Sequence, residues 1–158
     1  MEMTRRIWYR DSREAMNAAL DAAEDSNCNS RHLGTIVVDN EGVFVASGFN
    51  STVDPICLLG FCHKKLEGQG KGHSEFCNAM HSEEMAAKKV MALEKMGRAF
   101  KRPLTAVCAM GYPCGHCLAA LQAAGIERLV LLKDTFYTNH DEELWNKVFK
   151  EFFEVQIL

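Results

Sequence analysis

The chain has 158 residues, 47% of them hydrophobic and 25% charged, with a formal net charge of -3. That length suffices for one domain with a substantial buried core, and no apolar run approaches the roughly 20 residues of a membrane span. The 18 basic and 21 acidic side chains leave no basic excess for a long phosphate backbone, which argues against a large nucleic-acid partner. Lys88, Lys89, Lys95, Arg98, Lys101 and Arg102 punctuate an amphipathic helix and its exit, so they are read as a solvated face. Arg5 and Arg6 are followed by acidic residues and Asp11 where a signal peptide needs its apolar core, so a cytoplasmic location without a membrane partner is expected.

In chain order, Asp11 and Ser12 can cap a helix running to about Ser26, with Ala15, Met16, Ala19, Leu20 and Ala23 along one face. Thr35 to Val38 and Val43 to Ala46 are strand-like, and the turn residues Asp39-Asn40-Glu41-Gly42 between them predict an antiparallel hairpin. Gly48-Phe49-Asn50 closes the second strand, and an irregular stretch follows to about Met80. A loop of that length inside a compact domain is usually functional or tied down, and Cys57, Cys62, His63, His73 and Cys77 all fall in it.

A helix begins near His81, with Met85, Lys88/Lys89, Ala92 and Met96 at its period and Gly97 as its stop. Thr105 to Met110 is a buried strand, followed by Pro113-Cys114-Gly115-His116-Cys117 and a helix ending at Gly125. Arg128 to Leu132 is the next strand. Asp141 caps a helix carrying Leu144, Trp145, Val148, Phe149 and Phe152, and a short strand ends the chain at 155–158. This order predicts an α/β layered domain over residues 1–158, with five strands, helices on both faces and the last two strands parallel.

Seven cysteines without a secretory signal favour metal binding or reactivity over a disulfide framework. Cys108, inside an apolar strand, is read as a small core residue. Cys114 and Cys117, three apart at a helix start, project from one side, and the positive helix end favours their thiolates. His81 adds a neutral nitrogen at the start of another helix. One imidazole and two thiolates give zinc three protein ligands and leave a fourth position for water. Glu83, two residues after the histidine, stays off the metal and is placed to move protons during hydrolysis. A structural zinc would require a fourth protein ligand, and a purely redox C-x-x-C would not require His81-Ser82-Glu83.

H-x-E followed by P-C-x-x-C is the zinc deaminase pattern. From Cys28 to the C-terminus the chain resembles the cytidine and deoxycytidylate deaminase superfamily, most closely the deoxycytidylate (dCMP) deaminases. The resemblance is carried by residues 30–38 as the first strand, Gly48-Phe49-Asn50, His81-Ser82-Glu83, Pro113-Cys114-Gly115-His116-Cys117, and Ala123-Ala124-Gly125-Ile126. It implies a three-layer α/β/α cytidine-deaminase-like sandwich on a mixed five-stranded sheet. It also implies one catalytic zinc on His81, Cys114 and Cys117, with Glu83 as proton shuttle, Asn50 on the substrate, and backbone groups of Ser82 and Cys114 lining the pocket. Some members carry a second, structural zinc, for which Cys28, Cys57 and His73 match. Cys77 is favoured as its fourth ligand, with Cys62 or His63 as alternatives. Arg31 is a candidate phosphate contact, and Phe49 and Tyr112 are candidates to flank a flat base.

The chain departs from the family pattern at Ser82, where alanine is usual, at Met85, and after Asn50, where Ser51-Thr52-Val53-Asp54 replaces a G-x-P-R-G run. The expected activity is hydrolytic deamination of a free pyrimidine nucleotide, dCMP to dUMP. The alternatives are another free base, nucleoside or modified nucleotide as substrate, or a catalytically silent zinc-binding regulatory module. The resemblance further implies a homo-oligomer acting on a small molecule.

Overall fold

The computed structural model describes residues 7–29, 31–62, 79–109, 113–132 and 154–158. Helix α1 (Ser12–Ala23) starts where the sequence predicts, because Asp11 Oδ1 accepts the Glu14 N–H at 2.9 Å. It stops short of Ser26. Ala15, Met16, Ala19 and Ala23 are buried, whereas Leu20, expected on the same face, is 44% exposed. Strands β1 (Gly34–Val38) and β2 (Phe44–Phe49) form the antiparallel hairpin, and Asp39 holds its turn by accepting the Glu41 and Val43 N–H groups.

The stretch after β2 holds a short helix α2 (Pro55–Leu58), capped by Asp54, and a bridge that pairs Ser51 with Met80. Helix α3 (Ser82–Lys95), strand β3 (Leu104–Cys108), helix α4 (Gly115–Ala123), strand β4 (Ile126–Leu131) and strand β5 (Glu154–Ile157) follow. The helix predicted from Asp141 lies outside the described residues. No helix among the described residues is long and apolar enough to cross a membrane.

The sheet order is β2-β1-β3-β4-β5. β1 is antiparallel to both β2 and β3, and β3, β4 and β5 run parallel, as expected for strands joined through helical crossovers. Strand alternation divides the core in two. Thr35 and Val37, Ala106 and Cys108, and Leu129 and Leu131 are buried at alternate positions on one side, where Val37, Ala106, Cys108, Leu129 and Leu131 cluster with residues of α3 and α4. Ile36, Val38, Val107, Ala109 and Val130 pack on the other side with Ala15, Met16 and Ala19 of α1. Val37 pairs with Ala46 and Val38 with Phe44. Val45 is therefore the extra residue of a bulge, which lets Val45 and Ala46 join the same cluster.

The face predicted for α3 is corrected by the packing. Ser82, Glu83, Ala86, Ala87 and Val90 are buried, while Lys88, Lys89 and Ala92 are exposed and Met96 is 79% exposed. Small residues are used because the helix lies hard against β2. A Cβ on Gly48 would stand 2.1 Å from the Ser82 carbonyl oxygen and 2.7 Å from the Ala86 nitrogen.

Candidate active site

The β3–α4–β4 crossover carries the chain from the carboxyl end of β3 into the N-terminus of α4, a customary place for a site in a parallel sheet. Cys114 is the N-cap of α4 and Cys117 lies in its first turn; His81 is the N-cap of α3. Neither cap residue makes a side-chain capping bond. Their ligand atoms point at each other instead.

His81 Nδ1 lies 3.1 Å from Cys117 Sγ and 3.5 Å from Cys114 Sγ. Among the described residues, these three form the one group of metal-ligating side chains whose donor atoms all lie within 4.8 Å of one another. Cys117 is buried and Cys114 is exposed. The Cys117 thiol hydrogen-bonds Cys114, which lowers the Cys114 pKa to about 4 and raises that of Cys117. Without a metal the pair therefore shares one proton. His81 is raised from its ordinary value, chiefly by its hydrogen bond to Cys114 and against the opposing effect of burial. A thiolate, a second sulfur and an imidazole converging this closely fit zinc, whose structural and catalytic sites favour this donor set. They supply three protein ligands.

Glu83 is 1% exposed, and its Oε1 is buried with no hydrogen-bond partner. Burial raises its pKa above the ordinary carboxylate value, while its own backbone N–H and His81 pull the other way. The carboxyl also meets the Cys117 side chain. A carboxyl so placed binds a proton more tightly than an ordinary one and can release it beside the ligand set. Next to it, Glu84 brackets the two helix starts, its carboxylate 3.2 Å from His116 Nε2 and 2.9 Å from Lys88 Nζ.

Asn50 is tied to the same place. Ser51 and Met80 exchange backbone hydrogen bonds of 2.9 and 2.7 Å, which seats residue 50 beside the approach to His81. Its Oδ1 accepts the Leu33 N–H at 2.8 Å, and its Nδ2 donates to the Arg31 carbonyl at 2.9 Å. One N–H of the side-chain amide remains beyond these two bonds. Ser82 is 0% exposed; its hydroxyl is 2.9 Å from Thr35 Oγ1. As the first helical residue it has an N–H without an intrahelical acceptor. Phe49 is half-buried, with the Lys89 ammonium 5.9 Å from its ring centroid. Arg31 is half-buried too.

Of the second-metal candidates, Cys28 and Cys57 are half-buried and Cys62 is buried. The Asn29 side chain donates to the carbonyls of Cys57 and Phe61, so the two segments are stitched together. His63, His73, Cys77 and Tyr112 lie outside the described residues. Thr35 was not marked by the sequence. Within Gly34-Thr35-Ile36-Val37-Val38 it reads as one more β-branched strand residue.

Residues 9–133 match the family model of the cytidine and deoxycytidylate deaminase zinc-binding region. No curated protein sequence gives a significant match. The fold is shared with the dCMP deaminase of the cyanophage S-TIM5, solved in complex with dCMP and dUMP. That match has a TM-score of 0.64 and 23% identity, covering 96% of this chain and 100% of that one. NE0047 in complex with 2,6-diaminopurine gives a TM-score of 0.59 and 13% identity, covering 98% of this chain and 77% of the other. Acinetobacter baumannii RibD gives 0.53 and 16%, covering 92% of this chain and 34% of RibD.

Proposed function

We propose that this chain, which belongs to the cytidine and deoxycytidylate deaminase family and is a hydrolytic deaminase, acts on a free pyrimidine nucleotide, converting dCMP and water to dUMP and ammonia. The observation that carries the reading is Glu83, a buried carboxyl with one unpartnered oxygen beside the His81, Cys114 and Cys117 set. Zinc held by those three supplies the Lewis acidity that brings a water's pKa toward neutrality. Glu83 accepts the proton that the water loses as its oxygen bonds to the ring carbon bearing the amine. It passes that proton to the ring nitrogen, then takes the second proton from the hydroxyl now on the ring carbon and delivers it to the amine, so that ammonia leaves as the C–N bond breaks and the carbonyl forms. Asn50 offers its remaining amide N–H to the bound molecule, and the first-turn N–H groups at Ser82 and Gly115 add positive potential at the site.

Support for a nucleotide comes from the S-TIM5 dCMP deaminase, matched over 100% of its length. The net charge of -3 supports a small substrate over a polynucleotide. NE0047, which binds 2,6-diaminopurine on the same fold, makes aminopurines the competing arm of the test. Ultraviolet absorbance with dCMP, dCTP, deoxycytidine, cytidine, guanine and adenosine should show turnover of dCMP. Turnover of another compound with none of dCMP would overturn the assignment. Glu83→Ala should lower kcat by a factor of about 100 or more with zinc still bound, and retained activity would rule out the proton role.

A further inference from the structure

Resting on that reading of His81 and Glu83, we infer that the buried Thr35–Ser82 hydroxyl pair is the positioning contact of the site. It fixes the rotation of α3 about its own axis and so aims both functional side chains at the cysteine pair.

Ser82 stands between His81 and Glu83 on the first turn of α3. An ordinary helix start is anchored by its N-cap side chain, but here the N-cap is His81, whose ring is turned to the sulfurs and makes no capping bond. The anchor is one residue later. Ser82 Oγ and Thr35 Oγ1 are 2.9 Å apart, and both residues are 0% exposed.

The other directional contacts of this end of α3 are made by long side chains at its rim. Met85 Sδ accepts the Phe49 N–H at 3.5 Å, Lys89 Nζ donates to the Ser47 carbonyl at 2.7 Å, and Glu84 meets His116 at 3.2 Å. The Thr35–Ser82 bond, by contrast, is fully buried and made by short side chains. Ala86, Ala87 and Val90 make apolar contacts, which have no preferred direction. The close approach of the Ser82 carbonyl to Gly48 sets how near the helix lies to the sheet. A roll of about 20° would carry a side-chain atom about 6 Å from the helix axis through about 2 Å. A misplacement of about 1 Å can cost about 100-fold in rate, so a directional bond at this turn is decisive.

Thr35 is a rigid partner. β1 is paired on both sides, with Thr35 opposite Gly48 on β2 and Cys108 on β3. Cys108, the partner of Thr35 across the β1–β3 pair, is fully buried, and that burial pushes the thiol well above its ordinary pKa. Neither hydroxyl reaches solvent, so both are positioning groups that leave contact with substrate to others.

The experiment compares Thr35→Val, Thr35→Ser and the double variant Thr35→Val/Ser82→Ala in the full chain. Zinc affinity is read by competition with a chromophoric chelator, Tm on the metal-free protein, and kcat and KM on the turned-over nucleotide. Thr35→Val strands the Ser82 hydroxyl and should lower Tm most; the double variant removes both partners and should regain much of it. Zinc binding should nevertheless be about 10-fold weaker in both, with kcat reduced more than KM is changed. Thr35→Ser, which keeps the hydroxyl, should retain wild-type affinity. Return of zinc affinity together with Tm in the double variant would overturn the inference, leaving the pair as packing alone. Wild-type protein that binds zinc but deaminates none of the compounds would refute the proposed function, while the zinc and Tm arms would still decide the positioning role.

Discussion

Glu83 shows what the site demands of a single residue. A carboxyl at 1% exposure with an unpartnered oxygen destabilises the metal-free fold. Its pKa is raised by burial, so the folded chain holds the proton more tightly than the unfolded chain does. Below the ordinary value of 4.5 both states are protonated, and Glu83 contributes no pH dependence. As pH rises above that value the unfolded chain ionises first, so the contribution of Glu83 to stability falls until the folded carboxyl also titrates. Glu83→Gln removes this loss. Thermal melts of metal-free protein at pH 5 and pH 7.5 should show a variant more stable than wild type at the higher pH. The expected gain is about 1 kcal/mol, roughly 3 °C in Tm for a chain of this size. The same variant should be inactive. A wild-type advantage at pH 7.5 would mean the carboxylate is compensated in the fold.

At the scale of elements, two glycines set two helices on opposite faces of one hairpin. A Cβ on Gly34 would stand 2.0 Å from the Ala19 carbonyl oxygen of α1, as one on Gly48 would stand 2.1 Å from that of Ser82 in α3. Both approaches are backbone contacts that a side chain could relieve only by moving a helix. Gly34→Ala and Gly48→Ala should each destabilise by about 1–3 kcal/mol or more. Only Gly48→Ala, which displaces the helix bearing His81 and Glu83, should also weaken zinc binding. Equal zinc affinity in the two variants would show that α3 can shift without carrying the site with it. This packing explains why the face of α3 was misread. The helical period through Met85, Lys88/Lys89, Ala92 and Met96 marks one face, but a helix seated on glycine buries the alanines of another, and the long side chains stay at the rim or in solvent.

Across the whole molecule, what was legible in the sequence was what depends on local pattern. The hairpin turn at Asp39 to Gly42, a buried strand at Thr105 to Met110 (observed as Leu104–Cys108) and the helix starts at His81 and Cys114 follow from periodicity and capping, and the parallel β4–β5 pair from crossover geometry. The C-x-x-C pair and the His-x-Glu are each local patterns, and the structure brings His81 to Cys114 and Cys117 across 33 and 36 residues. Thr35 pairing with Ser82, 47 residues away, was not legible, since nothing in either neighbourhood marks a long-range hydroxyl bond.

Zinc held by His81, Cys114 and Cys117 would tie together the two helix starts, which Glu84 and His116 already link, so its binding should be felt by the entire fold. With free zinc at about 100 times Kd the folded state gains about 2.7 kcal/mol, or about 5–11 °C in Tm. Chelation should reverse that shift. Cys117→Ser should abolish the share belonging to this site, and any zinc-dependent shift that remains measures the proposed second set containing Cys28 and Cys57. Elemental analysis of wild type should then give two zinc ions per chain and the variant one. A wild-type value of one, with no residual shift in Cys117→Ser, would remove the second set and leave His81, Cys114 and Cys117 as the whole of the metal chemistry.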